Sequence, residues 1–457
     1  MSGVSAHPLV LLVAAALATL AVVAIEPKAI VAVAALPAAV AVAVLAWSAL
    51  NRRPLATLAL VFAMVFLTDA VFRVREYQDK DVDFQVLLKL AVWTAIAAVA
   101  LCHAKRWVGA ILTPTNLPWL MLLAWLFVTA AVSQSPAYSA VAAFSILACV
   151  LFCAYAFATI DRIAIFSAVI AAIVVFCLIS IVLYFAVPEF GRYVYWLNEQ
   201  RYVSNRLSGI AGSANNMGRL AAFGLVIIGI YARELHAANR WFVPVGALIM
   251  AAALVMTNSR TSMMMVVVIL GAFHLLTRQR LYIAVFAVSL ALVSLAAILP
   301  AGDDALRVIS RSGSIEEVAS FTGRTDIWYA VAKLAEAKPW TGFGYASSVF
   351  VLPQHEREVG FLTSHAHNVV LQLLLTTGWV GVGLFLLSIL SVGLRAIILG
   401  DRATLAILSF VLLNGITESS GFTTLANICS IAFAMAVTLP PERRVHEIYR
   451  PYQRRFS

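Results

Sequence analysis

Residues 163–187 read IAIFSAVIAAIVVFCLISIVLYFAV, a continuous apolar run without a charged side chain. A helix needs about 20 apolar residues to cross a bilayer. A strand of a membrane barrel would instead alternate apolar and polar residues. The run therefore predicts a transmembrane α-helix, and this prediction decides the fold class.

The rest of the chain repeats this pattern. Of its 457 residues, 63% are hydrophobic and 12% are charged, and the mean hydropathy is +0.94, which excludes a soluble globular protein. Further apolar runs lie at Pro8–Ile25, Ala29–Leu50, Pro54–Phe72, Gln85–His103, Pro118–Val132, Ser139–Thr159, Met217–Tyr231, Phe242–Thr257, Ser262–Thr277, Leu281–Leu299, Trp379–Leu399, Ala403–Ile416 and Phe422–Leu439. We predict an all-α, polytopic helical membrane protein with about 12–14 transmembrane helices. Residues 1–457 are expected to form a single integral membrane domain.

The orientation follows from the basic residues in the short loops. If the spans alternate, the following fall on one side: Arg52-Arg53, Lys105-Arg106, Arg162, Arg240, Arg278, Arg280, Arg402 and the tail from Arg443 to Arg455. The positive-inside rule makes this side the cytoplasm, where both termini then lie. The first run lacks the basic region and cleavage site of a signal peptide, so it is read as a span. The net charge of +10 reflects this topology and anionic lipid, not nucleic acid.

The opposite side carries polar stretches at 73–84, 189–216 and 301–367. The last of these is the only long loop that the sequence pattern predicts. It contains helix-forming residues such as Asp326–Ala337, so we expect residues 300–367 to form an ordered cap with short helices between two spans.

Arginines on this opposite side are the first candidate site residues. Arg260 lies in the polar knot Thr257–Ser262 between two apolar runs, so its side chain must reach the membrane surface or a cavity. A guanidinium matches phosphate oxygens with a bidentate fork, although it can also snorkel to lipid headgroups. Arg206 and Arg219 flank a Gly- and Asn-rich stretch that contains Asn216 and opens a helix, where free backbone N–H groups favour an anion.

Two further motifs lie in the long loop. Arg324 belongs to a loop that enters a helix, where it can bind an anion or pair with a loop acid. Tyr345 ends the aromatic turn Pro339–Tyr345, which suits either sugar stacking or the membrane interface.

His365, His367 and Asn368 form a polar run before an apolar helix, Val369–Thr377, that should end at Gly378. Histidine titrates near neutral pH and can serve as a general base for a hydroxyl. Structural histidines, or a divalent metal site completed by Glu356 or Glu358, are the other interpretations.

Glu418 places a carboxylate at the outer end of a span, where it could pair with an arginine or orient a histidine. Asp69 is a weaker candidate of the same kind. The five cysteines lie inside apolar runs without paired spacing, which indicates small buried hydrophobes.

Together these motifs resemble the family of bacterial O-antigen ligases and O-antigen or exopolysaccharide polymerases. The resemblance covers about the second half of the chain, from Arg206 to Ser420. It rests on Arg206…Gly209…Asn216, Ser259-Arg260-Thr261, Thr322-Gly323-Arg324…Trp328, Pro339…Gly342-Phe343-Gly344-Tyr345, and His365-Ala366-His367-Asn368 with Gly378…Gly381.

The resemblance implies a metal-independent, cofactor-free, inverting glycosyltransferase at the periplasmic face of the bacterial inner membrane. The implied donor is a glycan on undecaprenyl diphosphate, and the acceptor is a sugar hydroxyl of a lipid-linked repeat or of lipid A-core. His367 is then the expected base, with His365 second, and Arg260 and Arg324 the catalytic cations. The expected substrate-binding residues are Arg206, Arg219, Asn216, Asn368, Tyr345 and Glu418.

Polymerisation of O-antigen or exopolysaccharide repeats is the favoured activity, because Thr417-Glu418-Ser419 and Gly342–Tyr345 resemble the exopolysaccharide polymerase branch. The alternative is an O-antigen ligase of lipopolysaccharide biosynthesis. A lipid-linked glycan flippase would also need arginines and a cavity, but it would not need the histidines, and the sequence shows no internal repeat. A non-catalytic assembly subunit is the third alternative.

Overall fold

The computed structural model describes residues 41–72, 84–197, 200–238, 240–275, 324–356, 363–419 and 421–441. The predicted spans Pro8–Ile25 and Leu281–Leu299, the start of the loop at 300–323 and the basic tail lie outside these residues. The described chain is mostly helical, which confirms the predicted fold class.

Fourteen helices of seven or more residues are described in this part of the chain. They are α1 (Ala41–Leu50), α2 (Pro54–Asp69), α3 (Phe84–Cys102), α4 (Leu117–Ala130), α5 (Pro136–Thr159), α6 (Arg162–Ala186), α7 (Ala214–Ala238), α8 (Phe242–Thr257), α9 (Arg260–Leu275), α10 (Arg324–Ala335), α11 (Ser348–Gln354), α12 (Val369–Leu399), α13 (Arg402–Thr417) and α14 (Ile428–Thr438). Short turns lie at Ala104–Arg106, Val108–Ile111, Pro114–Asn116, Pro188–Gly191 and Gly209–Ala211.

Five of these helices, α3, α5, α6, α7 and α12, are long and apolar enough to cross a membrane. Seven shorter apolar helices accompany them among the described residues. The chain is thus a multi-pass membrane protein. Helix α6 shows how the sequence determines where a helix starts and ends. The side chain of Asp161 caps its start by accepting hydrogen bonds from the backbone N–H groups of Ile163 and Ala164, and Pro188 follows its last residues.

The helices pack side by side as one bundle. Helix α7 lies against α6, α8, α9 and α13, while α12 contacts α4, α10 and α13. The core between them is aromatic and aliphatic, with fully buried Trp93, Trp119 and Phe166. Cys149, Cys153, Cys177 and Cys429 are buried and form no disulfide among the described residues, as expected of small apolar side chains.

Helix α12 is broken at Gly378, as the sequence predicts. Gly378 has φ 67° and ψ −172°, in a region that favours glycine. The backbone N–H of Trp379 donates to the carbonyl of Pro339 at 2.7 Å, and that of Phe343 donates to Leu375 at 2.8 Å. The aromatic turn Pro339–Tyr345 therefore packs against the break in the helix.

Two stretches differ from the predicted pattern. The polar stretch after α6 contains an antiparallel hairpin of β1 (Arg192–Leu197) and β2 (Gln200–Leu207), in which Val194 pairs with Val203. Alternating β-branched and aromatic residues favour such strands.

The predicted span Phe422–Leu439 contains helix only from Ile428. The side chain of Asn427 accepts from the backbone N–H groups of Cys429 and Ser430, and this capping box starts α14 late. Residues 421–427 are consequently irregular and free to line a site.

Candidate active site

Several helix ends meet at one end of the bundle and enclose a cavity of about 590 Å³. They are the end of α2, the starts of α7, α12 and α14, and the residues that follow α13. The cavity is lined by Thr68, Asp69, Val71, Lys89, Tyr138, Tyr193, Ser213, Asn215, Asn216, Arg219, Val349, Thr363, Ser364, His365, His367, Glu418, Ser419, Thr423, Thr424, Leu425, Ala426 and Asn427. Most of these side chains are polar, in a chain built largely of apolar residues.

Glu418 connects the parts of this site. Its Oε1 accepts hydrogen bonds from Asn215 Nδ2 and from Arg324 Nη2, both at 2.9 Å. Its Oε2 accepts from His367 Nδ1 at 3.2 Å. Only 8% of the Glu418 side chain is exposed. One carboxylate thus holds together the start of α7, the start of α10 and the histidine run.

These contacts keep Glu418 ionised. Burial alone would raise the pKa of its carboxyl group, but the hydrogen bond from His367 and the charges of Arg324 and Arg219 outweigh it and hold the pKa below its usual range. Glu418 is therefore a fixed negative charge beside the histidines.

His365 and His367 both line the cavity, with their ring centroids 4.0 Å apart. His367 has φ 51°, an uncommon backbone conformation for a residue with a side chain. His365 Nε2 lies 4.0 Å from Glu418 Oε2, too far for a hydrogen bond. Burial lowers the pKa of His365 to about 3, and the charges of Arg219 and Arg324 act in the same direction. His365 is consequently a neutral imidazole at physiological pH.

Arg219 is the arginine that lines the cavity directly. It is 8% exposed, and its Nη2 donates to Asn216 Oδ1. Within the described residues, its Nε has no hydrogen-bond partner. A buried guanidinium with an unused donor beside a cavity can bind an oxygen anion.

Arg206 supports the site from the hairpin. Its Nη2 donates to Asn215 Oδ1 at 2.9 Å and its Nε to the carbonyl of Thr257 at 2.9 Å. Its guanidinium also lies over the Tyr193 ring, 5.5 Å from the centroid. Asn215 also donates to Glu418, which in turn accepts from Arg324. Arg206 and Arg324 are therefore both connected to the cavity through Asn215 and Glu418.

Arg260 lies elsewhere. It begins α9 with an exposed side chain and is not among the residues that line the cavity. The buried residues of its knot are Thr257, Ser259 and Ser262, and the hydroxyls of Ser259 and Ser262 are 3.0 Å apart. A Cβ on Gly218 would approach Ser259 Cβ to 2.8 Å, so the glycine lets α7 approach the knot closely.

Two other sequence candidates lie behind the cavity wall. Asn368 is fully buried and caps α12, since its Oδ1 accepts from the N–H groups of Val370 and Leu371. Tyr345 is fully buried and its hydroxyl donates to the carbonyl of Thr424 at 2.9 Å. Both support residues that face the cavity.

His365, His367 and Glu418 also have the chemistry of metal ligands, with ligating atoms within 4.8 Å of one another. Glu418, not the exposed Glu356, is the acid beside the histidines, and Glu358 lies outside the described residues. A cation here would have to displace the hydrogen bonds that already occupy Glu418, close to the positive charges of Arg219 and Arg324. This set is therefore better suited to hydrogen bonding than to metal binding.

Some cavity residues were not identified from the sequence. Asn215 links Arg206 to Glu418, and Tyr138, Lys89 and the irregular residues 423–427 complete the walls. Asp69 was noted only as a weak candidate. The sequence feature that could have made Asp69 a stronger candidate is its position as an acid at the end of an apolar run, since such a charge is costly in a membrane.

Comparisons with known proteins bear on this site. The sequence profile of the O-antigen ligase family (Wzy_C) matches residues 245–386. A general O-oligosaccharyltransferase of Acinetobacter baylyi is 26% identical over 223 residues, which cover 43% of this chain and 38% of that relative. The match thus spans less than half of either protein. It confirms the resemblance expected from the sequence, because residues 245–386, which include Arg260, Arg324, His365 and His367, are similar to the O-antigen ligase family.

Proposed function

We propose that this protein is a membrane glycosyltransferase that moves a glycan from undecaprenyl diphosphate to a sugar hydroxyl at the periplasmic face of the bacterial inner membrane. The observation that carries the proposal is the contact set of Glu418. This buried carboxylate holds His367 and Arg324 at a cavity that Arg219 also lines. The family match over residues 245–386 supports the same reaction class.

His367 is the proposed base. Its Nδ1 faces Glu418 Oε2, so the hydrogen bond favours the tautomer with a proton on Nδ1 and a free lone pair on Nε2. As the acceptor oxygen forms its bond to C1 of the donor glycan, His367 Nε2 takes the hydroxyl proton. The bond between C1 and the phosphate oxygen breaks, and undecaprenyl diphosphate leaves with the electron pair. His365, a neutral imidazole in the same cavity, is the second candidate for this proton.

The leaving diphosphate needs fixed positive charge. Arg219 offers a buried Nε–H at the cavity, and Arg324 and Arg206 lie around it through Glu418 and Asn215. Fixed donors that face a developing charge contribute about 3–4 kcal/mol each to lowering a barrier. Asn216 keeps the Arg219 guanidinium in position. Arg260, which is exposed at the start of α9, is proposed to contact the donor outside the described cavity.

We propose that the transfer is independent of metal. The charge that a cation would supply comes from the arginines, and Glu418 already accepts three hydrogen bonds. A chelator should therefore leave turnover unchanged, whereas a loss restored by a divalent ion would make His365, His367 and Glu418 a metal site.

The acceptor distinguishes two candidate activities. The sequence favours polymerisation of lipid-linked repeats, whereas the matched family and relative are named for ligation and oligosaccharide transfer. Full-length protein in liposomes, incubated with lipid-linked repeat units with and without lipid A-core, separates them. Chain lengthening without core indicates a polymerase, and transfer only to core indicates a ligase. Movement of the lipid-linked glycan across the bilayer without transfer would indicate a flippase.

The role of the base is tested by His367→Gln in the same assay. Loss of a positioned base typically lowers the rate by about 10²–10⁴-fold. The matched control is His355→Gln, because His355 contacts only the carbonyl of Val351 among the described hydrogen bonds and lies outside the cavity. Full activity of His367→Gln would exclude His367 as the base.

The orientation is testable separately. Reporters fused at Arg311 and Arg443 should lie on opposite sides of the membrane, and reporters on the same side would overturn the proposed topology.

A further inference from the structure

The cavity has two chemically different parts. One part is made by Arg219, His365, His367 and Glu418 and is rich in cations and histidine. The other part is made by Asp69, Lys89, Tyr138 and residues 423–427. We call it the Asp69 wall. It combines a carboxylate, the ammonium group of Lys89, an aromatic ring, hydroxyls and an amide.

Asp69 differs from Glu418 in how its oxygens are used. It ends α2, and its carboxylate accepts a hydrogen bond from the backbone N–H of Ile428 at the start of α14. Its Oδ2 is buried but has no hydrogen-bond partner among the described residues. Both oxygens of Glu418, in contrast, are occupied by protein donors.

An unsatisfied buried carboxylate oxygen is costly, so a ligand that donates a hydrogen bond to it gains affinity. The positive charges of Arg219 and Lys89 act on the Asp69 carboxylate. A diphosphate would be repelled by Asp69, whereas a sugar hydroxyl would donate to it. The tyrosine ring of Tyr138, which packs edge-on against Phe350 with centroids 5.5 Å apart, gives the wall an apolar face.

We propose that the Asp69 wall is the acceptor subsite and that Asp69 Oδ2 accepts a hydrogen bond from a hydroxyl of the acceptor sugar. This inference rests on the proposed glycosyl transfer and deepens it. The donor diphosphate occupies the arginine and histidine side, and the neutral acceptor sugar occupies the Asp69 wall. Asp69 selects and holds the acceptor; it takes no proton in the transfer.

The first test measures initial rates of full-length wild type and Asp69→Asn in liposomes, with lipid-linked repeat units as donor and acceptor concentration varied. Loss of a hydrogen bond to a charged group should raise the KM for acceptor by about tenfold to a hundredfold. The KM for donor should stay within about twofold. An unchanged acceptor KM, or a fall in kcat alone, would overturn the inference.

The matched control is Asp401→Asn. Asp401 caps α13 away from the cavity through Thr404, and asparagine caps as well as aspartate. This variant should retain both KM values. A second cavity variant, Tyr138→Ala, should also raise the acceptor KM, and it tests the same wall where Asp69→Asn does not fold.

A binding measurement separates this inference from the proposed function. The probe is the repeat-unit oligosaccharide without lipid or diphosphate, titrated into the full-length protein without donor. Wild type should bind it, and Asp69→Asn should bind it at least about tenfold more weakly. Weakened binding without any transfer by wild type would support the sugar subsite while the proposed reaction fails. Equal binding by both proteins would overturn the subsite even where transfer occurs.

Discussion

Glu418 and Asp69 face the same cavity, and the protein uses their oxygens differently. Glu418 accepts from Asn215, Arg324 and His367, so its charge is committed to holding the site together. Asp69 accepts from the start of α14 and keeps Oδ2 without a partner among the described residues. The difference indicates that a buried carboxylate can either hold a site together or bind a ligand. The two roles are distinguished by whether each carboxylate oxygen already accepts a hydrogen bond from the protein.

The largest effect is expected from removing Glu418. Glu418→Ala leaves Arg324 without its partner and His367 without the acceptor that fixes its tautomer. Breaking a buried ion pair costs about 3–5 kcal/mol of folding stability. Loss of an orienting carboxylate lowers transfer by more than about 10³-fold. Thermal unfolding and initial rates measure the two effects.

Glu418→Gln separates these two effects. It keeps the size of the side chain and one oxygen that can accept from Arg324, so the protein should fold. The amide nitrogen that replaces Oε2 cannot accept the hydrogen bond from His367 Nδ1, so the rate should still fall. A glutamine variant with wild-type rates would show that Glu418 is structural only, like a cap, and would remove the contrast with Asp69.

A smaller effect is expected from removing Arg219, whose charge acts on both carboxylates. Arg219 acts electrostatically on both Asp69 and Glu418 and lines the cavity, whereas Arg260 is exposed at the start of α9. Arg219→Ala should lower kcat by about 10²–10³-fold, as expected for loss of one fixed donor to a developing charge. Arg260→Ala should have an effect below about tenfold on kcat.

Measuring both variants in the same assay decides which arginine contacts the reacting diphosphate: Arg260, as the sequence predicts, or Arg219, as the structure indicates. The sequence made Arg260 a catalytic candidate and Arg219 a binding residue. If Arg260→Ala abolishes transfer while Arg219→Ala retains it, the reacting diphosphate lies at the polar knot and not at the described cavity.

The sequence predicted most of the helical fold because apolar runs are local features. The predicted run Phe242–Thr257 has the same limits as α8, and the break at Gly378 was expected from a glycine at a helix end. The late start of α14 was missed because Phe422, Leu425 and Ala426 extend the apolar pattern toward the N-terminus, although polar residues separate them. Only the capping box at Asn427 marks the true start.

The site was predictable only in part, for a related reason. His367, Arg324 and Glu418 stand out as polar anomalies in the second half, and the structure brings them together. Asn215 and Tyr138 have no such signature, because their roles arise from which helix ends meet in three dimensions. Asp69 lies in the first half, which matched the family only as generic spans. Packing, which no local pattern encodes, brings the residues of the Asp69 wall to the same cavity as the histidines.

The smallest effect is expected on stability in acid. The pKa of Glu418 is held low in the folded protein by His367 and the arginines. The pKa of His365 is lowered by burial from 6.5 to about 3. In both cases the unfolded chain binds more protons than the folded chain as the pH falls. The free energy of unfolding should therefore decrease as the pH decreases. For His365 this window runs from about 6.5 down to about 3.

Thermal unfolding of the full chain in detergent at about pH 7 and about pH 5 measures this loss. His365→Asn removes one titrating group and should reduce the drop in Tm between the two conditions, whereas Asp401→Asn should leave the drop as in wild type. An equal drop in His365→Asn and wild type would mean that His365 does not titrate differently in the folded chain. Acid sensitivity that disappears when His365 or Glu418 is replaced arises from the part of the cavity in which Glu418 already accepts hydrogen bonds from the protein. It does not arise from Asp69, whose Oδ2 is proposed to accept a hydrogen bond from the acceptor.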